Sequence, residues 1–338
     1  MVTAAISSCG GNAASEAKPS PTASWKIGPS ISTESPWGIA ASPDGRRVYV
    51  VVHAGEADFG SISIIDSVSS SVAATIPHIR WPEDIVITPD GRRAYVVGQN
   101  SVSVLNTESN TVSATIEKAS GRDIAISPDG SRVYTAGPSL GNSVDIIDTS
   151  TNRVAGEIGM PGVVPEAITV APSGVNIYVA AEGSRPGSGV LSVIDSATDK
   201  VTGTVPLPGD PSENGLAVTP DGKELYVSYS QGKRDGVAVV DVKKKAVTDT
   251  VPMDDSSWGI TVSPDGAYAY VVQGLQPSTF TVIDTASKKI MENLPVKGSP
   301  FSVAVAPDGR RAYVSSQETV HNDGSLADPP NVQVIDID

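Results

Sequence analysis

Within residues 36–76 the apolar positions gather into four short runs, Trp37 to Ala41, Val48 to Val52, Ile62 to Ile65 and Val72 to Ile76, each bounded by polar or glycine-containing breaks. The runs are rich in Val, Ile, Tyr and Thr, and they alternate or are almost continuously apolar, as in short strands covered on both faces. Nowhere do apolar residues recur at the three- and four-residue spacing of an amphipathic helix. The pattern predicts an all-β chain, and the same group of runs returns six more times.

Between the first and second run of each unit stands a Pro-Asp-Gly phrase, with prolines at Pro43, Pro89, Pro128, Pro172, Pro220, Pro264 and Pro307; only the fourth varies, as Pro172-Ser173-Gly174. The intervals of 46, 39, 44, 48, 44 and 43 residues average 44. Four strands per unit at that period predict a seven-bladed β-propeller with four antiparallel strands in each blade. Proline supplies the φ of about −65° that opens a type I turn, and glycine the left-handed residue that closes the hairpin. Asp44, Asp90, Asp129, Asp221, Asp265 and Asp308 therefore read as turn residues rather than chemistry. So do Asp66, Asp148, Asp195, Asp241, Asp284 and Asp336, with Asn106 in their place in blade 2, which end the third strand before a polar turn. The seventh unit reaches only its third strand by Asp338, so Trp25-Lys26-Ile27 is expected to supply its fourth strand and close the ring. On this reading residues 25–338 form the propeller and residues 1–24 a signal or lipobox remnant with a flexible tether.

The phrases Ser42-Pro-Asp-Gly-Arg-Arg-Val-Tyr-Val-Val51 followed by Ser61-Ile-Ser-Ile-Ile-Asp-Ser67, and Ala306-Pro-Asp-Gly-Arg-Arg-Ala-Tyr-Val-Ser315 followed by Asn331-Val-Gln-Val-Ile-Asp336, resemble the repeats of the YVTN family of β-propellers. The resemblance covers roughly residues 25–338. It implies a bacterial or archaeal protein of the cell surface or another extracytoplasmic place, with its site on the face where the strand-four to strand-one and strand-two to strand-three loops emerge around the central channel. Propellers of this architecture include lactonases, the streptogramin lyase and subunits of periplasmic redox enzymes, so the resemblance is specific for fold and not for activity.

Charge narrows the partners. With 24 Lys and Arg against 38 Asp and Glu, the 338-residue chain carries a formal net charge of −14, which repels phosphate backbones; nucleic acid is not an expected partner. The one cysteine, Cys9, permits no internal disulfide and no cysteine-based zinc site. Ile6-Ser7-Ser8-Cys9 resembles a lipobox, so Cys9 is the expected lipidation site and a lipid anchor the expected membrane attachment. No apolar run is long enough to span a bilayer, and a monomer is expected.

Residues that repeat belong to the architecture, so function is sought where equivalent positions differ. Six places before each repeat proline stand Trp37, Glu83, Arg122, Glu166, Asn214, Trp258 and Phe301. After ring closure the aromatics of blades 6, 7 and 1 are neighbours, which predicts an aromatic wall facing the charged one of Glu83, Arg122 and Glu166. Such a cup suits an amphipathic ligand. The alternative is packing, with aromatics plugging the channel and Glu83 neutralising Arg122 between adjacent blades. Asp84 and Asp123 add acidity one residue further on.

His53, His78 and His321 also break the repeat and fall on the same face of blades 1, 2 and 7. They leave a divalent cation open, although solvated loop histidines are the simpler account. The insertion from Gln317 to Pro330 is expected near the channel. No nucleophile elbow, zinc-protease motif or phosphate loop occurs. The expected function is binding of a cell-envelope glycan, peptide or partner protein at the channel mouth, without a cofactor. The alternative is a lactonase or lyase using Glu83 or Glu166 as base and Arg122 as oxyanion stabiliser.

Overall fold

Each repeat folds into its own four-stranded antiparallel sheet because both of its hairpin ends are closed by local hydrogen bonds. In the computed structural model, which describes residues 23–53, 58–137, 142–232, 234–274, 277–320 and 326–338, blade 1 consists of Pro36–Ala41, Arg47–Val52, Phe59–Asp66 and Ser71–Arg80 in that spatial order. At its first turn the Ser42 hydroxyl donates to Asp44 Oδ1 (2.6 Å), which also accepts from the Arg46 amide (3.0 Å), while Gly45 takes φ 69°. At its second turn Asp66 Oδ1 accepts from the Ser69 and Val68 amides at 2.7 and 3.1 Å. The next residue joins the two turns, the Ser67 hydroxyl donating to Gly45 O at 2.7 Å; Thr107, Thr149, Ser196 and Thr285 do the same in four other blades. Asp44 and Asp66 are turn residues, as the sequence implies; Asp336, read the same way, instead lies within its strand and accepts from Arg311 Nε at 3.0 Å.

Seven such sheets and one short hairpin, Thr319–Val320 with Leu326–Asp328, make up the structure, and no helix occurs among the described residues. The ring closes as strand counting predicts. Blade 7 is built from Ser299–Val305, Arg311–Gln317, Asn331–Ile337 and, as its outer strand, Trp25–Ser32, with Trp25 opposite Ile337 and Ser32 opposite Asn331. The closing strand is longer than the three residues expected, and a bulge between Ile27 and Ser30 is filled by the Gln333 amide, which donates to Gly28 O at 2.8 Å.

The apolar core lies between blades rather than within them. One cluster joins blade 1 to blade 2 through Tyr49, Ile62 and Ile64 against Ile85 and Val96, and another joins blade 7 to blade 1 through Tyr313 and Val334 against Ile39 and Val50. Each blade contributes one fully buried tyrosine, Tyr49, Tyr95, Tyr134, Tyr178, Tyr226, Tyr270 and Tyr313. Two residues before the tyrosine, an arginine reaches the next blade's second turn: Arg47 donates to Thr107 O (2.7 Å), Arg132 to Ser196 O (3.0 Å), Arg93 to Thr149 O and Arg311 to Ser67 O. A charge-assisted bond to a backbone carbonyl is among the stronger polar contacts available at a half-exposed interface. The second arginine of the repeat phrase in blades 7, 1 and 2 is thus an inter-blade tie. Blade 5 has Glu224 there and pairs it with Lys288 of blade 6, and between blades 6 and 7 Trp25 stands edge-on to Tyr268.

Candidate functional site

Six of the seven residues that differ between blades sit on bulges of the innermost strands, and Arg122 stands just before the regular inner strand Asp123–Ile126 of blade 3. In blade 2, Pro82 pairs with Gly98 and Asp84 with Val97, which leaves Glu83 as the extra residue; Glu166 in blade 4 and Phe301 in blade 7 are extra in the same way. In blade 1 Trp37 and Gly38 together face one partner residue, as do Trp258 and Gly259 in blade 6. A bulge breaks the in-out alternation and re-aims the side chain it carries. One bulge position can therefore present tryptophan, glutamate or phenylalanine at the channel mouth without disturbing the blade.

Blade 5 departs furthest. In Asp210–Val218, Pro211 pairs with Tyr229 and Leu216 with Val227, so four residues, Ser212 to Gly215, oppose Ser228 alone. Asn214 takes a left-handed φ of 54° inside this excursion, and it is Glu213 that reaches the site. The sequence carries a signal of this in the 48-residue interval that ends at Pro220, the longest of the six.

An aromatic wall runs from blade 6 to the start of blade 2. Ring centroids lie 5.5 Å apart for Trp258 and Phe301, 4.1 Å for Phe301 and Trp37, 5.7 Å for Trp37 and His53, and 6.0 Å for His53 and Trp81. His53, whose pKa burial lowers, and Trp81 extend the trio that the sequence points to. His78 lies elsewhere, its ring 6.2 Å from that of Phe59. His321 falls outside the described residues, as does Cys9. Among the described residues no three His, Cys, Asp or Glu side chains are placed to hold one metal ion.

The charged wall is arranged otherwise than expected. Arg122 makes its ion pair with Glu213 of blade 5, not with Glu83. The long bulge of blade 5 carries Glu213 to it, whereas Glu83 is 7% exposed and accepts a hydrogen bond from Gln99 at 3.3 Å. Arg122, Glu166, Glu182, Asp210, Glu213 and Trp258 border a cavity of about 870 Å³ between blades 3 and 6. Trp37, Glu83, Asn214 and Phe301 stand outside that lining.

Two populations of carboxylate result. Those in the turns are held low by hydrogen bonds, Asp129, Asp148 and Asp221 at about 2. Those at the mouth are pushed up by burial. Glu166, 6% exposed, rises to about 7 through burial and then the charges of Glu213 and Glu182, against the opposing pull of Arg122. Burial raises Glu83 too. Beneath them Asp84 and Asp123 form a buried, hydrogen-bonded carboxyl pair. Asp123 accepts from the Ile124 and Ile168 amides, each at 2.7 Å, and so is the partner that carries the charge. Asp84, raised well above the usual range by burial and by the Asp123 charge, keeps the proton. Only glycine fits beside it, because a Cβ on Gly38 would lie 2.3 Å from Asp84 Oδ1.

No protein-family model matches this chain, and no curated protein matches it. Among solved structures, a chain of Kuenenia stuttgartiensis hydrazine synthase is similar, with a TM-score of 0.75 over 83% of this chain and 92% of that one at 21% sequence identity. At that identity the likeness concerns the fold alone: this chain is a seven-bladed β-propeller.

Proposed function

We propose that this propeller is a binding module of the cell envelope, of the YVTN type, that takes a glycan, a peptide or a segment of a partner protein at its channel mouth and is held to the membrane by a lipid on Cys9. The observation that carries the reading is the cavity of about 870 Å³, a size suited to a small ligand, which Trp258 borders together with Glu166 and the Arg122–Glu213 pair. Aromatic faces stack on sugar rings or apolar side chains, and the charged groups fix orientation. Screening the purified protein on an array of envelope glycans and peptides, followed by calorimetry on the strongest hit, tests it. Trp258→Ala should weaken binding at least about tenfold, the worth of one buried aromatic contact, and Trp37→Ala, outside the lining, less than about twofold. Equal losses for both variants, or none, would move the site away from this cavity.

A second reading, hydrolysis of a lactone or a lyase step, draws on one observation. Glu166 titrates at about 7 and so is matched to proton transfer at neutral pH, with Arg122 beside it to balance a developing oxyanion. A lactone panel distinguishes the readings: turnover abolished by Glu166→Gln supports the enzyme, and absence of turnover throughout the panel removes it.

A further inference from the structure

We propose that the cavity between blades 3 and 6 selects an organic cation, a primary ammonium group carried on a compact apolar or hydroxylated body. The proposal rests on the binding reading above and names the ligand's chemistry. Among the described residues four carboxyl groups, those of Glu166, Glu182, Asp210 and Glu213, border the cavity against one cation, Arg122, which is already engaged by Glu213. An anionic ligand would meet net repulsion from every side but one.

Two further polar atoms point to a donor-rich ligand. Ser257, 1% exposed, borders the cavity, and its hydroxyl has no hydrogen-bond partner among the described residues. Asp210 Oδ2 accepts the Gly187 amide at 2.6 Å, whereas its Oδ1 is buried and unpartnered. Buried polar atoms left without partners are costly, and a folded protein retains few of them. An ammonium group has three donors and no acceptor, the complement of a lining made mainly of acceptors. Trp258 also borders the cavity, and an indole ring attracts a cation through its quadrupole. The carboxylates are spread around the cavity, and among the described residues no three His, Cys, Asp or Glu converge on a point, so the lining suits a cation with a body better than a bare metal ion.

Calorimetry with a matched series decides the matter: hexylammonium, hexanol and hexanoate, then glucosamine, N-acetylglucosamine and glucuronate. The ammonium member of each triad should bind at least about tenfold more tightly than the neutral one, and the anion should not bind. Asp210→Asn and the exposed Glu182→Gln should each weaken the ammonium probes about three- to tenfold and leave the neutral probes unchanged. Affinity should also rise several-fold between pH 6 and pH 8 as Glu166 ionises. The groups facing Glu166 are Glu213 and Glu182, which oppose that ionisation, and Arg122, which favours it.

Neutral glycans binding as tightly as amines, with the same loss on Trp258→Ala, would overturn the cation preference and leave the binding module standing. Displacement of hexylammonium by millimolar Ca²⁺ would overturn it in favour of a metal. Absence of binding by every probe would overturn it together with the assignment of this cavity.

Discussion

A chain lacking residues through Ser32 is expected to melt about 7 °C below the intact protein and to aggregate on heating. Trp25–Ser32 is the outer strand of blade 7, and through it the N-terminal end of the described chain is hydrogen-bonded to the C-terminal strand. Its loss uncovers the edge of Asn331–Ile337 and removes Ile31 from the cluster that joins blade 7 to blade 1. It also removes the Trp25 ring, 4.9 Å from that of Tyr268, from the junction of blades 6 and 7. Deleting one buried isoleucine and one half-buried tryptophan costs about 5 kcal/mol by the usual large-to-small scale. With an unfolding entropy of about 2.1 cal/mol/K per residue, a chain this long shifts by roughly 1.4 °C per kcal/mol, which gives about 7 °C. The Lys26–Asp338 pair is exposed and contributes little. Aggregation follows because Val332, Val334 and Ile335 would lie next to an unpaired strand edge. Scanning calorimetry checks the melting temperature, and a synthetic peptide of residues 23–32 added in trans should restore part of it. A truncated chain that melts within about 2 °C of the intact one would mean that closure does not depend on this strand.

The second large effect concerns pH. The buried Asp84–Asp123 pair keeps a proton that the unfolded chain, with aspartate carboxyls near 4, gives up. The folded pKa values of this pair lie above the unfolded ones, so the pair's own contribution to stability is greatest at and below about pH 4, whereas that of the turn aspartates, held low, is lost there. The former falls as pH rises, by up to about 1.4 kcal/mol per pH unit for each proton retained. Asp123 is pushed up to about 6 and Asp84 is raised well above the usual carboxylate range, both chiefly by burial, so the decline continues toward neutrality. Asp84→Asn removes one ionisable group while its amide can still donate to the Asp123 carboxylate. The variant should therefore be on the order of 2–3 kcal/mol more stable than the parent at pH 8 and no more stable at pH 4. Urea unfolding at intervals from pH 4 to 8 measures it, and parallel profiles for the two proteins would show that the pair holds no such proton.

The contrast between the turn aspartates and the mouth carboxylates shows how much of the site is legible in the chain. Asp44, Asp66 and their equivalents recur at a fixed place in a local phrase, and their roles depend on amides two and three residues away. Trp37, Glu83, Arg122, Glu166, Trp258 and Phe301 stand out because they break the repeat at one position. The structure explains that position as a bulge of the inner strand in every one of these but Arg122, which stands just before the regular inner strand Asp123–Ile126 of blade 3. Glu213 escapes such an alignment because it lies one residue off register, inside an excursion that only the long fourth interval betrays. Arg47, Arg93, Arg132 and Arg311 were visible as part of the repeat, but their partners, from 56 to 244 residues away, were not.

By itself, then, the sequence determined the strands, their number, the turns between them and the strand that closes the ring. Each of these follows from interactions within a few residues or from counting: the fixed φ of proline, the left-handed glycine, the aspartate that caps its own turn, and edges that must be paired. The tertiary structure alone decided which charges meet. Arg122 pairs with Glu213 across an intervening blade, Asp84 and Asp123 share a proton, and Glu166 titrates near neutrality. Ring curvature and bulge length bring these groups together from distant parts of the chain. A carboxyl's protonation state depends on how much water and which charges surround it once they are in place.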